Sequence, residues 1–317
     1  MSGHAAATNA PAAAKSALRR VLDSDLFYSF IGSPVTIVSA VVTLLLVLSA
    51  VAAPLIAPHN PFDPASLSIS DSLLPPVWNH DGVSQYLLGT DDQGRDVLST
   101  ILYGMRISLS VGFASVVLAI VIGVPLGLIA GYVRGPVDAF IMRVADVQLT
   151  FPAILTALLI DGIARGIAGP QAYNEVVFPV LVISIGLSFW VQYARTVRGS
   201  VLVEANKEYV LAARLIGLRP AAIMIRHVLP NVLGPVLVIA TINLALAVIT
   251  EATLSFLGVG VPPTQPSLGT LIRIGNDYLF SGEWWITIFP GITLAILVLA
   301  VNLLGDWLRD ALNPKLR

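Results

Sequence analysis

Long uncharged hydrophobic runs, separated by short polar segments, dominate the chain. A helix needs about 20 apolar residues to cross the hydrocarbon core of a bilayer. Five uncharged runs are long enough on their own: Val35–Ile56, Ile107–Gly131, Val176–Ala194, Val228–Thr250 and Trp284–Gly305. A sixth run, Val147–Ile160, reaches that length only when it is extended through Asp146 and Asp161. The pattern predicts an all-α, polytopic membrane protein with six transmembrane helices and both termini on one side.

Basic residues give these six spans an orientation. With the N-terminus inside the cell, 14 of the 18 Lys and Arg residues lie in segments predicted to be cytoplasmic. Only four lie outside: Arg95, Arg106, Arg165 and Arg273. Cytoplasmic loops carry such an excess of basic residues, so both termini are predicted to be cytoplasmic.

The same pattern divides the chain into five parts. We predict a cytoplasmic N-terminal tail at residues 1–30 and a first transmembrane helix at residues 31–56. An extracytoplasmic segment follows at residues 57–106, where several prolines argue against a long regular helix. The remainder is a five-helix core at residues 107–310, with a polar cytoplasmic loop at 195–231, and a cytoplasmic C-terminal tail at 311–317.

Composition supports a membrane protein and excludes several other classes. Charged residues make up 12% of the chain, about half of the roughly 25% that soluble domains average. A net charge of -1 gives no sign of nucleic-acid binding. The absence of cysteine excludes disulfides, thiolate metal sites and cysteine nucleophiles, and the four histidines have no metal-ligand spacing. We therefore expect neither a metal site nor a catalytic residue in this chain.

The segment from Glu208 to Asn231, EYVLAARLIGLRPAAIMIRHVLPN, predicts two short helices joined by a turn. Asn206 is expected to cap the first helix by accepting hydrogen bonds from its free backbone N–H groups. Glu208 places a negative charge in the first turn of that helix. Gly217 can adopt the left-handed conformation that ends a helix. Pro220 is well placed as the first residue of the second helix.

Small and apolar residues on the first of these helices predict a docking surface. Ala212 and Ala213 would let the helix enter a groove on a partner, and Leu211 and Leu215 would flank them as apolar anchors. The alternative is a helix that merely packs beneath the bundle. The residues predicted to form the docking site are Glu208, Leu211, Ala212, Ala213, Arg214, Leu215 and Gly217.

Four stretches resemble one family of membrane proteins. The segment Glu208–Asn231 resembles the EAA loop of ABC importer permeases. Leu88–Ser110, LGTDDQGRDVLSTILYGMRISLS, resembles the LGTD–GRD–G-R-SL signature of the dipeptide/oligopeptide/nickel group of these permeases. Glu251–Pro263, EATLSFLGVGVPP, and Asn302–Arg317, NLLGDWLRDALNPKLR, also resemble that group. The likeness extends from about Val35 onward and is greatest to the "C" permease subunit of dipeptide or oligopeptide importers.

That resemblance implies the type I ABC importer permease fold, with a cytoplasmic coupling helix that contacts an ATPase. It also implies a second homologous permease subunit, two cytoplasmic ATPase subunits, an extracytoplasmic substrate-binding protein and a place in the bacterial inner (cytoplasmic) membrane. ATP and Mg²⁺ would bind to the ATPases, and no cofactor to this chain. The residues agree, since none of the three lysines (Lys15, Lys207 and Lys315) follows a glycine as a P-loop requires.

Ionisable residues inside the spans are candidates for the translocation path. Asp161 and Glu251 are predicted at the outer ends of the third and fifth spans, where they could meet the charged groups of a peptide. The structural alternatives are that Asp161 lies in headgroup water and that Glu251 braces an outer loop against Arg273. At the inner end of the third span, Asp146 could pair with Arg143.

Two glycine-containing motifs also have structural and functional interpretations. Gly123, Gly127 and Gly131 lie on one face of the second span, and packing inside this subunit is favoured over contact with a second permease. The stretch from Gly89 to Asp96 is interpreted as an anchoring turn or as a surface that receives the binding protein, rather than as a metal or nucleotide loop.

The resemblance thus implies a permease subunit that forms half of the pore of an ATP-driven importer for dipeptides or oligopeptides. Within this class, nickel, glutathione, opines or antimicrobial peptides are alternative substrates. An ion-coupled secondary transporter is an alternative from another class, but it would carry several charges in mid-span and no docking loop. A membrane enzyme would need a catalytic constellation, which the sequence lacks.

Overall fold

The computed structural model describes residues 29–63 and 68–312, and helices dominate this part of the chain. The N-terminal tail up to residue 28 and residues 313–317 of the C-terminal tail lie outside the described residues. A π-helical segment, Met224–Val228, joins α7 to α8. The α-helices are, in chain order, α1 (Pro34–Val51), α2 (Ala53–Ile56), α3 (Val97–Val133), α4 (Gly135–Thr150), α5 (Ala153–Glu204), α6 (Glu208–Leu215), α7 (Pro220–Ile223), α8 (Leu229–Phe256), α9 (Leu268–Asn276) and α10 (Trp285–Ala311).

Five helical stretches of the described chain are long and apolar enough to cross a membrane, and a bent helix pair can provide a sixth span. This confirms the prediction of an all-α, polytopic protein, and each of the five uncharged runs lies largely within one of these stretches. The stretches are Pro34–Val51, Val97–Val133, Ala172–Glu204, Pro220–Phe256 and Trp285–Ala311.

The third span is not the continuous helix that was predicted from Val147–Ile160. Instead, α4 and the first part of α5 meet at an angle of 90°. At the corner, Phe151 has extended backbone angles (φ -97°, ψ 128°), because Pro152 disfavours the helical conformation of the residue before it and has no N–H to donate. Hydropathy alone does not detect this corner, since the apolar character continues through it.

A second break divides α5 at Gly169. This glycine has a positive φ (φ 73°, ψ 167°) inside an otherwise helical stretch, a conformation that glycine adopts without steric cost. It separates the helix Ala153–Gly169 from the helix Ala172–Glu204, and only the latter is a span by itself.

The start of α3 lies ten residues before the uncharged run that begins at Ile107. The side chain of Asp96 caps the helix by accepting from the backbone N–H of Ser99 at 2.9 Å, which satisfies a free donor of the first turn. The 37 residues of α3 span about 55 Å at 1.5 Å per residue. Since the hydrocarbon core is about 30 Å thick, α3 projects well beyond it.

Close packing between α3 and the second part of α5 forms the centre of the bundle. A Cβ added to Gly123 would lie 2.4 Å from the Trp190 carbonyl oxygen, and one added to Gly127 would lie 2.4 Å from that of Ala194. A Cβ on Gly131 would meet Val201 at 2.8 Å. The glycines therefore let the two backbones approach, which confirms the interpretation that they pack within this subunit.

The turn from Gly89 to Asp96 is an anchor against the rest of the bundle. Arg95 Nε lies 2.6 Å from Asp91 Oδ2, and both side chains are buried. Arg95 Nη1 also donates to the carbonyl oxygen of Pro263 at 2.9 Å, and Trp285 Nε1 donates to that of Thr90 at 3.1 Å. These bonds tie the segment before α3 to the α8–α9 loop and to α10, as the anchoring interpretation predicted.

Candidate functional site

The first short helix of the polar loop, α6, ends at a Schellman motif. Gly217 has φ 82°, and its N–H donates to the carbonyl oxygen of Arg214 at 3.0 Å. The N–H of Leu218 donates to the carbonyl oxygen of Ala213 at 3.1 Å. This pair of bonds satisfies carbonyl groups at the helix end and confirms the prediction that Gly217 ends the helix in a left-handed conformation. Pro220 then begins α7, also as predicted.

The predicted cap at the start of α6 is wrong. Lys207 occupies the N-cap position, and no side chain caps the helix. Asn206 instead donates to the carbonyl oxygen of Leu202 at 2.8 Å and accepts from Arg134 Nη2 at 3.2 Å. An asparagine can bond to backbone four residues earlier as readily as to a helix start, and here a neighbouring cation holds it there. Glu208 is in the first turn of α6, as expected.

The structure separates the two small residues of α6. The side chain of Ala213 is 4% exposed and packs in the same core cluster as Val210 and Ile223, inside this subunit. Ala212 is exposed one position earlier, because a helix turns by about 100° per residue. The small size of Ala213 therefore serves packing within the chain, and of the pair only Ala212 is available to a partner.

An exposed surface remains on α6 and its C-terminal end. Leu215 is 88% exposed and Ile216 is 76% exposed, the highest values among the large apolar residues of this loop. Glu208, Leu211, Ala212, Arg214 and Gly217 are exposed around them. The predicted docking residues, other than Ala213, thus form one exposed surface with apolar and charged parts, which we call the α6 surface.

A polar cluster holds α6 to the ends of two long helices. Tyr209 donates a hydrogen bond to Glu204, the last residue of α5. Lys207 Nζ lies 2.8 Å from the other carboxylate oxygen of Glu204. Asn231 Nδ2, near the start of α8, donates to Tyr209 Oη at 3.0 Å and to the carbonyl oxygen of His227 at 2.7 Å. Burial, and then the neighbouring Glu204 carboxylate, raise the pKa of Tyr209 to about 12.

The C-terminal end of α3 adds two further contacts to this loop. The Arg214 guanidinium lies 4.8 Å from the centre of the Tyr132 ring, a cation–π geometry, and Arg134 bonds to Asn206 at 3.2 Å. Sequence reasoning missed these contacts and the Glu204–Tyr209–Asn231 cluster. Only the fold brings residues from α3, α5 and α8 together, and no short spacing in the sequence signals them.

The Asp161 carboxylate is buried and has two partners, Arg165 in the same part of α5 and Tyr173 beyond the Gly169 break. Arg165 Nε lies 2.7 Å from Asp161 Oδ2, and Tyr173 donates a hydrogen bond to the other oxygen. The Arg165 guanidinium lies over the Tyr173 ring, 4.2 Å from its centre. Asp161 therefore does not lie in headgroup water, and it joins the two parts of α5.

The Glu251 carboxylate is fully enclosed by hydroxyl groups. Ser108 donates to its Oε2 and Ser255 to its Oε1, each at 2.7 Å. The same hydroxyl oxygens accept backbone N–H groups, from Leu268 at 3.3 Å and from Val261 at 3.4 Å. Glu251 does brace the loop between α8 and α9, but through serines rather than through Arg273 as the alternative predicted.

Ion pairs hold α4 against the second part of α5. Arg195 Nη2 lies 2.5 Å from Asp146 Oδ1. Arg198 bonds to both carboxylate oxygens of Asp138, at 2.5 and 2.7 Å. The predicted pair between Asp146 and Arg143 is therefore wrong, because the 90° corner folds α4 back towards α5 and offers Asp146 a more distant partner in sequence.

The chain matches the sequence profiles of two known families of membrane proteins. The profile of the family described as "Binding-protein-dependent transport system inner membrane component" matches residues 123–317, from within α3 to the end of the chain. The match includes the α6 surface and the Glu204–Tyr209–Asn231 cluster, which we call the bracing cluster. The chain belongs to this family. Residues 24–76 match a second profile, "N-terminal TM domain of oligopeptide transport permease C". It is thus a multi-pass membrane component of a binding-protein-dependent ABC transport system.

Several relatives span almost the same length as this transport component. It is 38% identical over 310 residues to the "Di/tripeptide transport system permease protein DppC" of Pseudomonas aeruginosa, covering 98% of this chain and 97% of that protein. It is 40% identical over 284 residues to the "Dipeptide transport system permease protein DppC" of Escherichia coli K12, covering 89% of each chain. The protein of that description from Haemophilus influenzae is 39% identical over 281 residues, covering 89% of this chain and 90% of the relative.

A solved transporter shows the fold of this family. The inward-facing MetNI methionine ABC transporter matches with a TM-score of 0.54 and 22% identity, over 68% of this chain and 96% of that chain. This confirms the predicted type I ABC importer permease fold.

Proposed function

We propose that this chain is a permease subunit of an ATP-driven importer for dipeptides or oligopeptides, and that it docks on an ATPase through the α6 surface. The observation that carries the proposal is the exposure of Leu215 and Ile216 at the end of a helix that is otherwise firmly held. Large apolar side chains exposed beside charged ones are typical of a surface that binds another protein. The names of the relatives support peptides as the substrates.

In this proposal the bracing cluster gives α6 its mechanical role. Glu204 and Asn231 belong to α5 and α8, and Tyr209 of α6 bonds to both. Arg214 and Arg134 add contacts to α3. A displacement of α6 by the ATPase is therefore transmitted to three long helices, which would tilt and open the cavity alternately to the two sides of the membrane.

The partners and the orientation belong to the same proposal. The complete importer would contain a second homologous permease subunit, two cytoplasmic ATPase subunits and an extracytoplasmic binding protein, in the bacterial inner membrane. Both termini and the α6 surface would lie in the cytoplasm. ATP and Mg²⁺ would bind to the ATPases, which perform the hydrolysis, while this chain forms half of the pore. The contribution of Asp161 and Glu251 to the path of the substrate stays a prediction.

The test is reconstitution of the whole importer. The complex purified through a tag on this chain should contain two ATPase subunits and a second permease. In proteoliposomes with the loaded binding protein, it should take up a labelled dipeptide only when ATP is present. We expect unlabelled di- and oligopeptides to reduce the uptake of the labelled dipeptide. Nickel, glutathione and an opine should not reduce it. Uptake that follows an ion gradient without ATP would contradict the proposal.

A further inference from the structure

Arg106 differs from Arg95 and Arg165, two other arginines near its end of the bundle. It is exposed and lies one residue before the uncharged run of α3. Arg95 and Arg165 are paired with Asp91 and Asp161. Within the described residues, the Arg106 guanidinium has no ion pair and no hydrogen bond. Ionisable residues beside membrane segments are candidates for functional contacts, and this guanidinium is free to bind an anionic group from outside the chain.

Two adjoining clefts open beside this guanidinium. Arg106 and Ser110 line both of them. The first cleft, of about 290 Å³, is also lined by Phe62, Tyr103, Ile107, Phe178 and Gln265. The second, of about 330 Å³, has apolar walls from α1, α3 and α8. Small-molecule sites of about this size typically combine apolar walls with a few polar groups that fix orientation.

A carboxylate lies about one helical turn from Phe178, which lines the first cleft. Glu175 is exposed three residues before Phe178, and residues three apart share a helix face. Within the described residues, Glu175 also has no ion pair. The cleft therefore has a cation on α3 and the aromatic residues Tyr103 and Phe178 in its walls, with a carboxylate about one helical turn away on α5. A zwitterion with an apolar side chain complements this arrangement.

We propose that this cleft, which we call the Arg106 cleft, receives the peptide at the outer mouth of the pore. Arg106 binds the C-terminal carboxylate, Glu175 binds the N-terminal ammonium, and the peptide side chains contact Phe178 and Tyr103. The inference rests on the proposed function, since it takes a peptide as the cargo and this end of the bundle as the outer one. Arginine matches the planar geometry of a carboxylate with paired donors.

Charge-preserving and charge-removing substitutions test the site in the reconstituted importer. Arg106→Gln should lower the rate of dipeptide uptake about tenfold, which is the scale of one lost charged hydrogen-bond partner. Arg106→Lys should retain most of the uptake, and Glu175→Gln should lower it by a similar factor. Arg273→Gln is the control, because it removes an arginine of the same side that lines neither cleft.

The absence of cysteine from the chain allows a charge-rescue experiment. Arg106→Cys should lose uptake and should regain it after reaction with a cationic aminoethyl thiosulfonate, but not with an anionic sulfonatoethyl thiosulfonate. Delivery of peptide by the binding protein should slow the labelling of this cysteine. A guanidinium that only binds lipid headgroups would instead give labelling that peptide does not change.

The outcomes separate this inference from the proposed function. If the wild-type importer takes up no peptide, the proposed function fails. If the wild type takes up peptide and Arg106→Gln does so at an equal rate, only the Arg106 cleft is overturned. Labelling of Arg106→Cys that is indifferent to peptide would overturn it as well, and would assign Arg106 to lipid phosphate.

Discussion

The N–H of Leu218 donates to the carbonyl oxygen of Ala213 at 3.1 Å, and the two residues thereby close the end of α6 around Gly217. That bond requires the positive φ of Gly217 (82°), which an L-residue adopts at a cost of about 1–2 kcal/mol. It fixes the direction in which the neighbouring Leu215 and Ile216 project from the helix end.

The Schellman motif predicts the effect of Gly217→Val. A β-branched residue resists a positive φ, so the turn should open and the α6 surface should lose its shape. We expect the chain to insert into the membrane normally, the ATPases to be lost from the purified complex and uptake to fall to background. Gly234→Val is the matched control, since nothing lies within 4 Å of a Cβ at that position and its φ is not positive. Normal uptake by Gly217→Val would contradict a role of this turn in coupling.

The two alanines of α6 predict two different defects. Trp at position 213 would overpack the core of this subunit, which typically costs about 1–3 kcal/mol, so Ala213→Trp should lower the Tm of the purified chain. Trp at the exposed position 212 should leave the Tm unchanged and weaken the binding of the ATPases. Ala212→Ser is the mild control for that position. Equal Tm values for Ala213→Trp and Ala212→Trp would contradict the observed burial of Ala213.

The same alanines show which features of α6 can be predicted from the sequence and which cannot. The series Glu208, Ala212, Gly217 and Pro220 predicts two short helices and the turn between them, because capping and turn chemistry are local. Whether Ala213 points into this subunit or towards a partner is not determined locally, because it depends on which side of α6 packs against Ile223 and the core. A small residue fits a groove on a partner and a groove within the chain equally well, so the sequence does not distinguish the two.

Polar contacts between residues distant in the chain cannot be predicted from the sequence for a related reason. The uncharged runs predict most spans, since hydropathy is a property of each segment alone. The corner at Pro152 changes the direction of a helix without changing its hydropathy, and it brings Asp146 to Arg195 at 2.5 Å. Without that corner, the sequence offers only the helical spacing to Arg143 as a guide to the partner of Asp146.

The hydrogen bond between Tyr209 and Glu204 predicts a loss of stability at alkaline pH. The pKa of Tyr209 is raised from 10.0 to about 12, by burial first and by Glu204 second. The fold therefore favours the protonated phenol, and this contribution to stability is complete below pH 10 and is lost as the pH rises towards 12. We expect the Tm of the detergent-solubilised wild type to fall more steeply than that of Tyr209→Phe above pH 10. Parallel curves for the two proteins would show that the phenol does not contribute.

The proposed orientation predicts the labelling of single cysteines. The chain contains no cysteine, and the side chains of His80 and Lys207 are both largely accessible. In intact cells, His80→Cys should react with a membrane-impermeant thiol reagent, whereas Lys207→Cys should react only after the membrane is opened. Reaction of Lys207→Cys in intact cells would place α6 outside and would refute the proposed coupling to cytoplasmic ATPases.

Asp161 and Glu251 predict effects on uptake that can be traced to their cause. The Glu251 carboxylate accepts hydrogen bonds from the hydroxyls of Ser108 and Ser255, each at 2.7 Å. In Glu251→Gln, one of these hydroxyls would face an amide N–H instead of an oxygen. A buried polar group that loses its partner costs about 1–3 kcal/mol, so both the Tm and the uptake should fall. Asp161→Asn should act similarly, because it removes the charge that pairs with Arg165 at 2.7 Å. Ser255→Ala, which removes one donor but leaves the carboxylate, should have a smaller effect on both measurements. A loss of uptake at an unchanged Tm would instead assign the carboxylate to contact with the substrate, and normal uptake by both variants would exclude either residue from transport.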